Sequence, residues 1–260
     1  MIGIDIGGAN LKVVDDAGVH IHYCPLWQGA PLTDLLEAYR EPAAVVMSGE
    51  LADCFASKIE GIRWIVDAVH AVIPDAVFYG IDAAFHTRPV PALAAANWLA
   101  SADYLRKDYA DAVLLDVGST TADVIPLNCF EALKGLTDTR RLQKHYLVYT
   151  GMLRTNIATL LPSVMLDGTV TPVSTEYFAT SADAHLVLGH ITPEDYTCPA
   201  PDNGEKTPDA ALQIARQFWQ AQRTLITRAV GRALFQSGTG RVITAGIGAD
   251  LFARELGGVT

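Results

Sequence analysis

Short apolar runs broken by Gly and Asp turns open the chain, and they predict a strand-turn-strand meander over residues 1–6, 10–15 and 19–23. The period then changes. Thr33 starts a short helix running to Arg40, 43–47 reads as a buried strand, and Ile59, Ile62, Ile65, Val66, Val69 and Val72 fall at helical spacing over 57–73. A strand at 76–80 and an Ala-rich helix at 92–107 follow, separated by a loop holding His86, Arg88, Pro89 and Pro91. The second half offers strands near 112–117, 120–127 and 146–150, and then a polar region to Pro208 whose segment 196–204 is too proline-rich for regular structure. A long helix over 208–236 hands over to a strand, a glycine turn and a helix start in VITAGIGAD, residues 242–250.

Two of these units resemble each other. IGIDIGGANLKV at 2–13 and the DVGSTTAD hairpin at 116–123 each run apolar strand, aspartate, glycine-bearing turn and return strand, more than 100 residues apart, which signals an internal duplication. A hairpin turn rich in glycine or hydroxyls points several backbone N–H groups at one spot, a nest suited to phosphate oxygens. The aspartate before it is repelled by phosphate, but it can hold a hydrated Mg2+ that bridges to phosphate. The glycine turn of VITAGIGAD lets a ligand approach the backbone closely.

Composition narrows the partners. The chain has 260 residues, 50% hydrophobic and 18% charged, as expected of a globular protein of one large domain or two modest lobes. A formal net charge of -10 argues against nucleic acid as a partner. Residues 1–111 hold fifteen acids and seven bases against fourteen and twelve in 112–260, so an anion site should draw its arginines from the second half. Asp5 interrupts the first apolar run and no unbroken apolar span of about 20 residues occurs, so a cytoplasmic protein without signal peptide or membrane segment is expected. Cys24, Cys54, Cys129 and Cys198 make no C-x-x-C pair, which speaks against structural zinc and a disulfide framework.

DIGGANLK, DVGSTTAD and VITAGIGAD in this order resemble the phosphate-1, phosphate-2 and adenosine motifs of the actin, hexokinase and Hsp70-type ATPase superfamily. Together with VVMSGELADCF, YTGMLRT, TSADAHLVLG and YTCPAPDNG, they make the chain similar over nearly its whole length to a hydantoinase/oxoprolinase-related family. Its members are the tetrahydromethanopterin-linked C1-transfer pathway proteins of methylotrophs and the archaeal furan-methanamine synthases of methanofuran biosynthesis. The resemblance implies a two-lobed α/β fold, a duplicated ribonuclease H-like lobe at 1–111 and 112–260 with the ligand in a central cleft, each lobe a mixed sheet of roughly five strands flanked by helices. Family members run on past the adenosine-type motif, so the second lobe is expected to lack C-terminal helices.

The activity implied is a transferase that joins an (aminomethyl)furan-methyl diphosphate to the phenol oxygen of a tyramine- or tyrosine-type acceptor, releasing diphosphate. Asp5 and Asp116 are the expected Mg2+ holders, with Gly7, Gly8, Asn10, Gly118, Ser119, Thr120 and Thr121 as the cradle and Gly246 and Gly248 as the third turn. Lys12 reads equally as a phosphate counter-ion and as a solvent-facing strand residue. Glu50 reads as a base or as part of a helix cap with Ser48. Arg154 is a diphosphate clamp or a surface ion pair, and Asp183 with His185 is a metal or acid/base pair or else a cap and a core histidine. ATP is not required by this chemistry, and a homodimer is compatible with it. The competing readings are an ATP-dependent small-molecule kinase or ATPase and a non-catalytic nucleotide-binding protein.

Overall fold

The computed structural model describes residues 1–177, 179–201 and 212–257. Residues 202–204 of the proline-rich loop, the expected helix start at 208–211, and 258–260 lie outside the described residues. The chain divides into two compact units, Met1–Lys107 with Phe130–Thr137, and Asp108–Cys129 with Asp138–Thr260.

The first unit contains β1 (Ile2–Ile6), β2 (Asn10–Asp15), β3 (Gly18–Tyr23), β4 (Ala43–Met47), β5 (Val77–Tyr79) and β6 (Phe85–His86), in the sheet order β3-β2-β1-β4-β5-β6. Its helices are α1 (Leu32–Leu36), α2 (Lys58–Val72), α3 (Asn97–Leu105) and α4 (Phe130–Leu133). Strand alternation sorts the residues by face: Ile2, Ile4 and Ile6 of β1 and Leu11 and Val13 of β2 are buried in one core with Ile62, Ile65, Val66 and Val69 of α2. Asp5 and Lys12 therefore fall on the opposite face, paired across the hairpin. Ser57 caps α2, its hydroxyl accepting the Glu60 N–H at 3.3 Å.

The second unit contains β7 (Ala112–Val117), β8 (Ala122–Pro126), β9 (Leu147–Val148), β10 (Ser163–Leu166), β11 (Thr169–Pro172) and β12 (Arg241–Ala245). Helices α5 (Asp138–Lys144), α6 (Ser181–Val187), α7 (Leu212–Ser237) and α8 (Ala249–Leu256) accompany them. The main sheet runs β12-β7-β8-β9, and β10-β11 is a separate hairpin. Ala112 to Leu115 are all buried, so β7 is covered on both faces, as its unbroken apolar run requires. Val113, Leu115, Val117 and Val124 pack with Ile226, Ala229, Val230 and Ala233 of α7. No helix among the described residues is long and apolar enough to cross a membrane.

The two sheets repeat one pattern. In the first, β3, β2 and β1 are antiparallel neighbours and β4 joins β1 in parallel; in the second, β9, β8 and β7 are antiparallel and β12 joins β7 in parallel. This is the duplicated ribonuclease H-like α/β fold. Among the described residues the first main sheet has six strands and the second four, where roughly five were expected in each. Other departures are local. The helix expected at 33–40 ends at Leu36 and starts after Pro31. The helix expected at 92–107 begins only at Asn97, because Ala95 is left-handed (φ 46°) and the Ala96 N–H is drawn to the Met47 carbonyl at 3.2 Å. The polar region after Gly151 holds both the β10-β11 hairpin and α6.

Gly61 on α2 faces Glu50 so closely that a Cβ would sit 2.5 Å from the Glu50 carbonyl oxygen and 2.8 Å from its Cα. Alanine would gain about 1 kcal/mol of helix propensity, but pressing on backbone costs about 1–3 kcal/mol. Gly61→Ala is therefore expected to lower the melting temperature in a circular-dichroism melt; a rise would mean that the Glu50 turn yields freely.

Candidate active site

Both hairpins are built alike. In each, an aspartate is the penultimate residue of the first strand, and the turn closes by one bond across four residues: Gly7 N–H to Asn10 O and Gly118 N–H to Thr121 O, both 2.9 Å. What faces each aspartate differs.

In the first unit, Lys12 Nζ lies 3.1 Å from Asp5 Oδ2, with the lysine half exposed. Asp5 Oδ1 and Asn10 Oδ1 are buried and have no hydrogen-bond partner among the described residues. The turn is backed by the segment after β4. Ser48 N–H donates to Ile6 O at 2.9 Å, and a Cβ on Gly49 would come within 3.0 Å of Gly7 O. Only a glycine lets these two backbones meet. The next residue, Glu50, is 1% exposed. Ser48 makes no side-chain cap to the turn Gly49–Leu51, so the capping reading of this pair finds no support.

In the second unit, Asp123 stands opposite Asp116 across the hairpin, and its carboxylate is held by Arg141, which also reaches Asp138 at 3.2 Å. Burial pushes Asp123 up to about 6, opposed by Arg141 and assisted by the Asp116 carboxylate. The Gly118-Ser119-Thr120-Thr121 turn is gripped through its carbonyls: Met152 N–H donates to Gly118 O at 2.9 Å, and the Leu153 and Arg154 N–H groups donate to Ser119 O at 2.9 and 3.0 Å. A trans peptide points its N–H opposite to its C=O. Engaging these two carbonyls therefore turns the Ser119 and Thr120 N–H groups away from the gripping segment, the geometry of an anion nest.

Two glycines make the grip fit. A Cβ on Gly151 would lie 2.6 Å from the Ser119 carbonyl carbon and from Thr120 N, and one on Gly246 (φ 80°) would strike Asp116 Oδ1 and lie 2.5 Å from Val117 O. Gly248 N–H donates to Val117 O at 3.0 Å, so the turn after β12 is packed against the aspartate-bearing strand. Arg154 enters through its backbone, and its guanidinium acts on the Tyr177 phenol, whose pKa burial raises and Arg154 lowers.

Asp183 and His185 lie on α6. Asp183 Oδ2 accepts the Thr180 N–H at 2.8 Å in a capping box, and its Oδ1 accepts the Tyr196 hydroxyl at 2.9 Å. His185 is fully buried, with Nε2 bonded to Gln222 Oε1 at 2.8 Å and Nδ1 2.9 Å from His190 Nδ1. Reading from the sequence missed Gly151, Asp123, Arg141 and Gln222. The first two lie inside YTGMLRT and DVGSTTAD and so carried a signal; Gln222 carried none.

The hydantoinase/oxoprolinase family matches residues 41–227. A (4-{4-[2-(gamma-L-glutamylamino)ethyl]phenoxymethyl}furan-2-yl)methanamine synthase of Methanocaldococcus jannaschii is 38% identical over 87% of this chain and 73% of its own length. A synthase of the same name from Methanococcus vannielii is 31% identical over 57% of this chain and 76% of its own length. A solved structure of a non-polymerising MamK mutant bound to AMPPNP aligns over 94% of this chain and 85% of that one at 12% identity and a TM-score of 0.39.

Burial drives the His185 pKa down to about 3, with His190 adding to the effect and Gln222 opposing it. The folded value lies below the ordinary 6.5, so the unfolded chain takes up the proton first and stability is lost as pH falls from about 6.5 toward 3. The loss from this residue by pH 5 is about 2 kcal/mol. Asp123, raised in the folded state, works with the opposite sign in wild type and variant alike. Urea denaturation at pH 7 and pH 5 should show a smaller drop for His185→Gln than for wild type; equal drops would mean that His185 is not held neutral.

Proposed function

This chain belongs to the hydantoinase/oxoprolinase family together with the archaeal furan-methanamine synthases, and from that premise we propose that it is a transferase that forms an aryl ether on a furan. The phenol oxygen of a tyramine- or tyrosine-type acceptor attacks the methylene carbon of an (aminomethyl)furan-methyl diphosphate. The aryl C–O bond forms, the C–O bond to diphosphate breaks with its electron pair leaving on diphosphate, and the phenol gives up its proton. The observation that carries this reading is kinship over 87% of the chain with a synthase named for a phenoxymethyl-furan product. Such a product is assembled at its ether link from a phenol nucleophile and an activated furfuryl carbon.

The site chemistry supports each need. The leaving group must be stabilised as charge develops on it, and the outward Ser119 and Thr120 N–H groups, the Gly7-Gly8 turn and Arg154 are assigned to that. Glu50, buried beside the Gly7 turn, is assigned as the base that takes the phenol proton. Asp5 and Asp116 are assigned as the Mg2+ holders. No group of three or more His, Cys, Asp or Glu able to hold a metal occurs among the described residues, but Mg2+ needs only one or two carboxylates when water and phosphate complete its shell. The buried, partnerless Asp5 Oδ1 fits such a ligand. When bound, Mg2+ neutralises charge on the departing diphosphate. Lys12 then serves as the counter-charge of Asp5, and Asp183 and His185 stay outside the chemistry.

Calorimetric titration with Mg2+ present should show diphosphate binding, with ATP no tighter. Asp5→Asn and Asp116→Asn should each weaken diphosphate by about 10- to 100-fold, as expected for loss of a charge-assisted contact of about 1.5–3 kcal/mol. ATP bound much more tightly and turned over to ADP would replace this reading with the kinase or ATPase. Binding of neither would sink the diphosphate assignment.

A further inference from the structure

The loop that grips the Ser119-Thr120 turn is itself held from behind by one buried amide. Gln222, in the middle of α7, is fully buried, and its Nε2 donates to Gly151 O and to Thr150 Oγ1, both at 2.9 Å. A carbonyl can only accept, so the orientation of the amide is fixed and Oε1 is the end that meets His185 Nε2 at 2.8 Å. His185 Nε2 then carries the proton, its Nδ1 accepts, and His190 Nδ1 donates across 2.9 Å. On the other side, Thr155 Oγ1 accepts the Gly151 N–H at 2.9 Å and lies 3.2 Å from Thr150 Oγ1. The amide and imidazole groups of this relay each have a defined donor or acceptor role, and either hydroxyl of the Thr150–Thr155 pair can donate to the other, so the Thr150–Thr155 loop is held from both sides.

We propose that Gln222 is a positioning residue for the anion site: through Thr150 and Gly151 it fixes the loop whose N–H groups hold the Gly118 and Ser119 carbonyls, and so it sets where the Ser119 and Thr120 N–H groups point. The amide does not touch the turn. It acts through the loop, and His185 acts one step further back by fixing the amide. The anion in question is the diphosphate of the proposed reaction, so the ligand half of this inference rests on that reading; the positional half does not.

Gln222→Met keeps the length and bulk of the side chain and removes both donors and the acceptor. Amide hydrogen exchange of the ligand-free protein reads the positional half directly. In Gln222→Met the Met152, Leu153 and Arg154 amides should exchange about tenfold faster while the Val124 amide on β8, which donates to Tyr146 O at 2.9 Å, keeps its wild-type rate, the signature of a local opening. Calorimetry with Mg2+ and inorganic diphosphate should then show about tenfold weaker binding, the worth of one buried hydrogen bond. Unchanged exchange at 152–154 would overturn the proposal, as would equal acceleration of 152–154 and Val124, which would make Gln222 a general packing residue. Thr150→Val, which removes one of the acceptors and little volume, repeats the test if Gln222→Met does not fold: the same three amides should quicken, and an unchanged rate counts against the proposal. If wild type itself binds no diphosphate, the functional reading fails while the exchange result still decides the role of Gln222.

Discussion

A peptide group cannot offer its carbonyl and its N–H to the same side. That constraint organises the second unit. Because Met152, Leu153 and Arg154 take the carbonyls of Gly118 and Ser119, the next two N–H groups in the turn face the other way. The surrounding sequence serves this arrangement. Gly151 carries no side chain because Ser119 and Thr120 backbone lies where its Cβ would be, and Gly246 carries none because Asp116 and Val117 do. Any residue larger than glycine at either position would push the turn off the atoms that orient it.

The duplication gives the chain two copies of one hairpin, and the charges then distinguish them. Across from Asp5 the first copy has Lys12; across from Asp116 the second has Asp123, a like charge that is tolerable only because Arg141 is bonded to it. Likewise, the strand parallel to the aspartate strand leads in the first unit to a buried acid, Glu50, and in the second to the glycine turn 246–248. Equal backbones thus carry unequal chemistry. One copy pairs a carboxylate with a nearby buried acid, and the other pairs a carboxylate with a donor-lined turn.

Much of the fold was legible because local pattern and tertiary demand agree there. The meander, α2, and the strand-glycine-helix unit at the end follow from periodicity and turn residues alone. The failures have physical causes. Alanine after alanine over 92–96 favours helix, yet the chain makes only a 3-10 turn at Pro91–Leu93, and the left-handed Ala95 with a tertiary bond from Ala96 to Met47 keeps that turn separate from the helix that starts at Asn97. The β10-β11 hairpin was readable from Asp167-Gly168, both at positive φ as a two-residue hairpin turn requires. Its edge is finished by Gln217, whose amide gives Met165 both an acceptor and a donor at 2.8 and 2.9 Å, a pairing no local pattern announces.

The site residues divide along the same line. Aspartates and glycines of a hairpin declare themselves because their neighbours in sequence are their neighbours in space. An Asp-x-His pair does not: the same two residues on a helix can be an acid/base pair or, as their contacts are here, a cap and a buried relay. The decision rests on burial, since an ionised imidazole inside a core is far costlier than a neutral one with both nitrogens engaged. A neutral relay also suits its place. Gln222, His185 and Thr150 hold the gripping loop without adding a formal charge behind it. A carboxylate in place of the Gln222 amide would face the Gly151 carbonyl with no donor to offer it, and would set a negative charge behind the turn proposed to receive an anion.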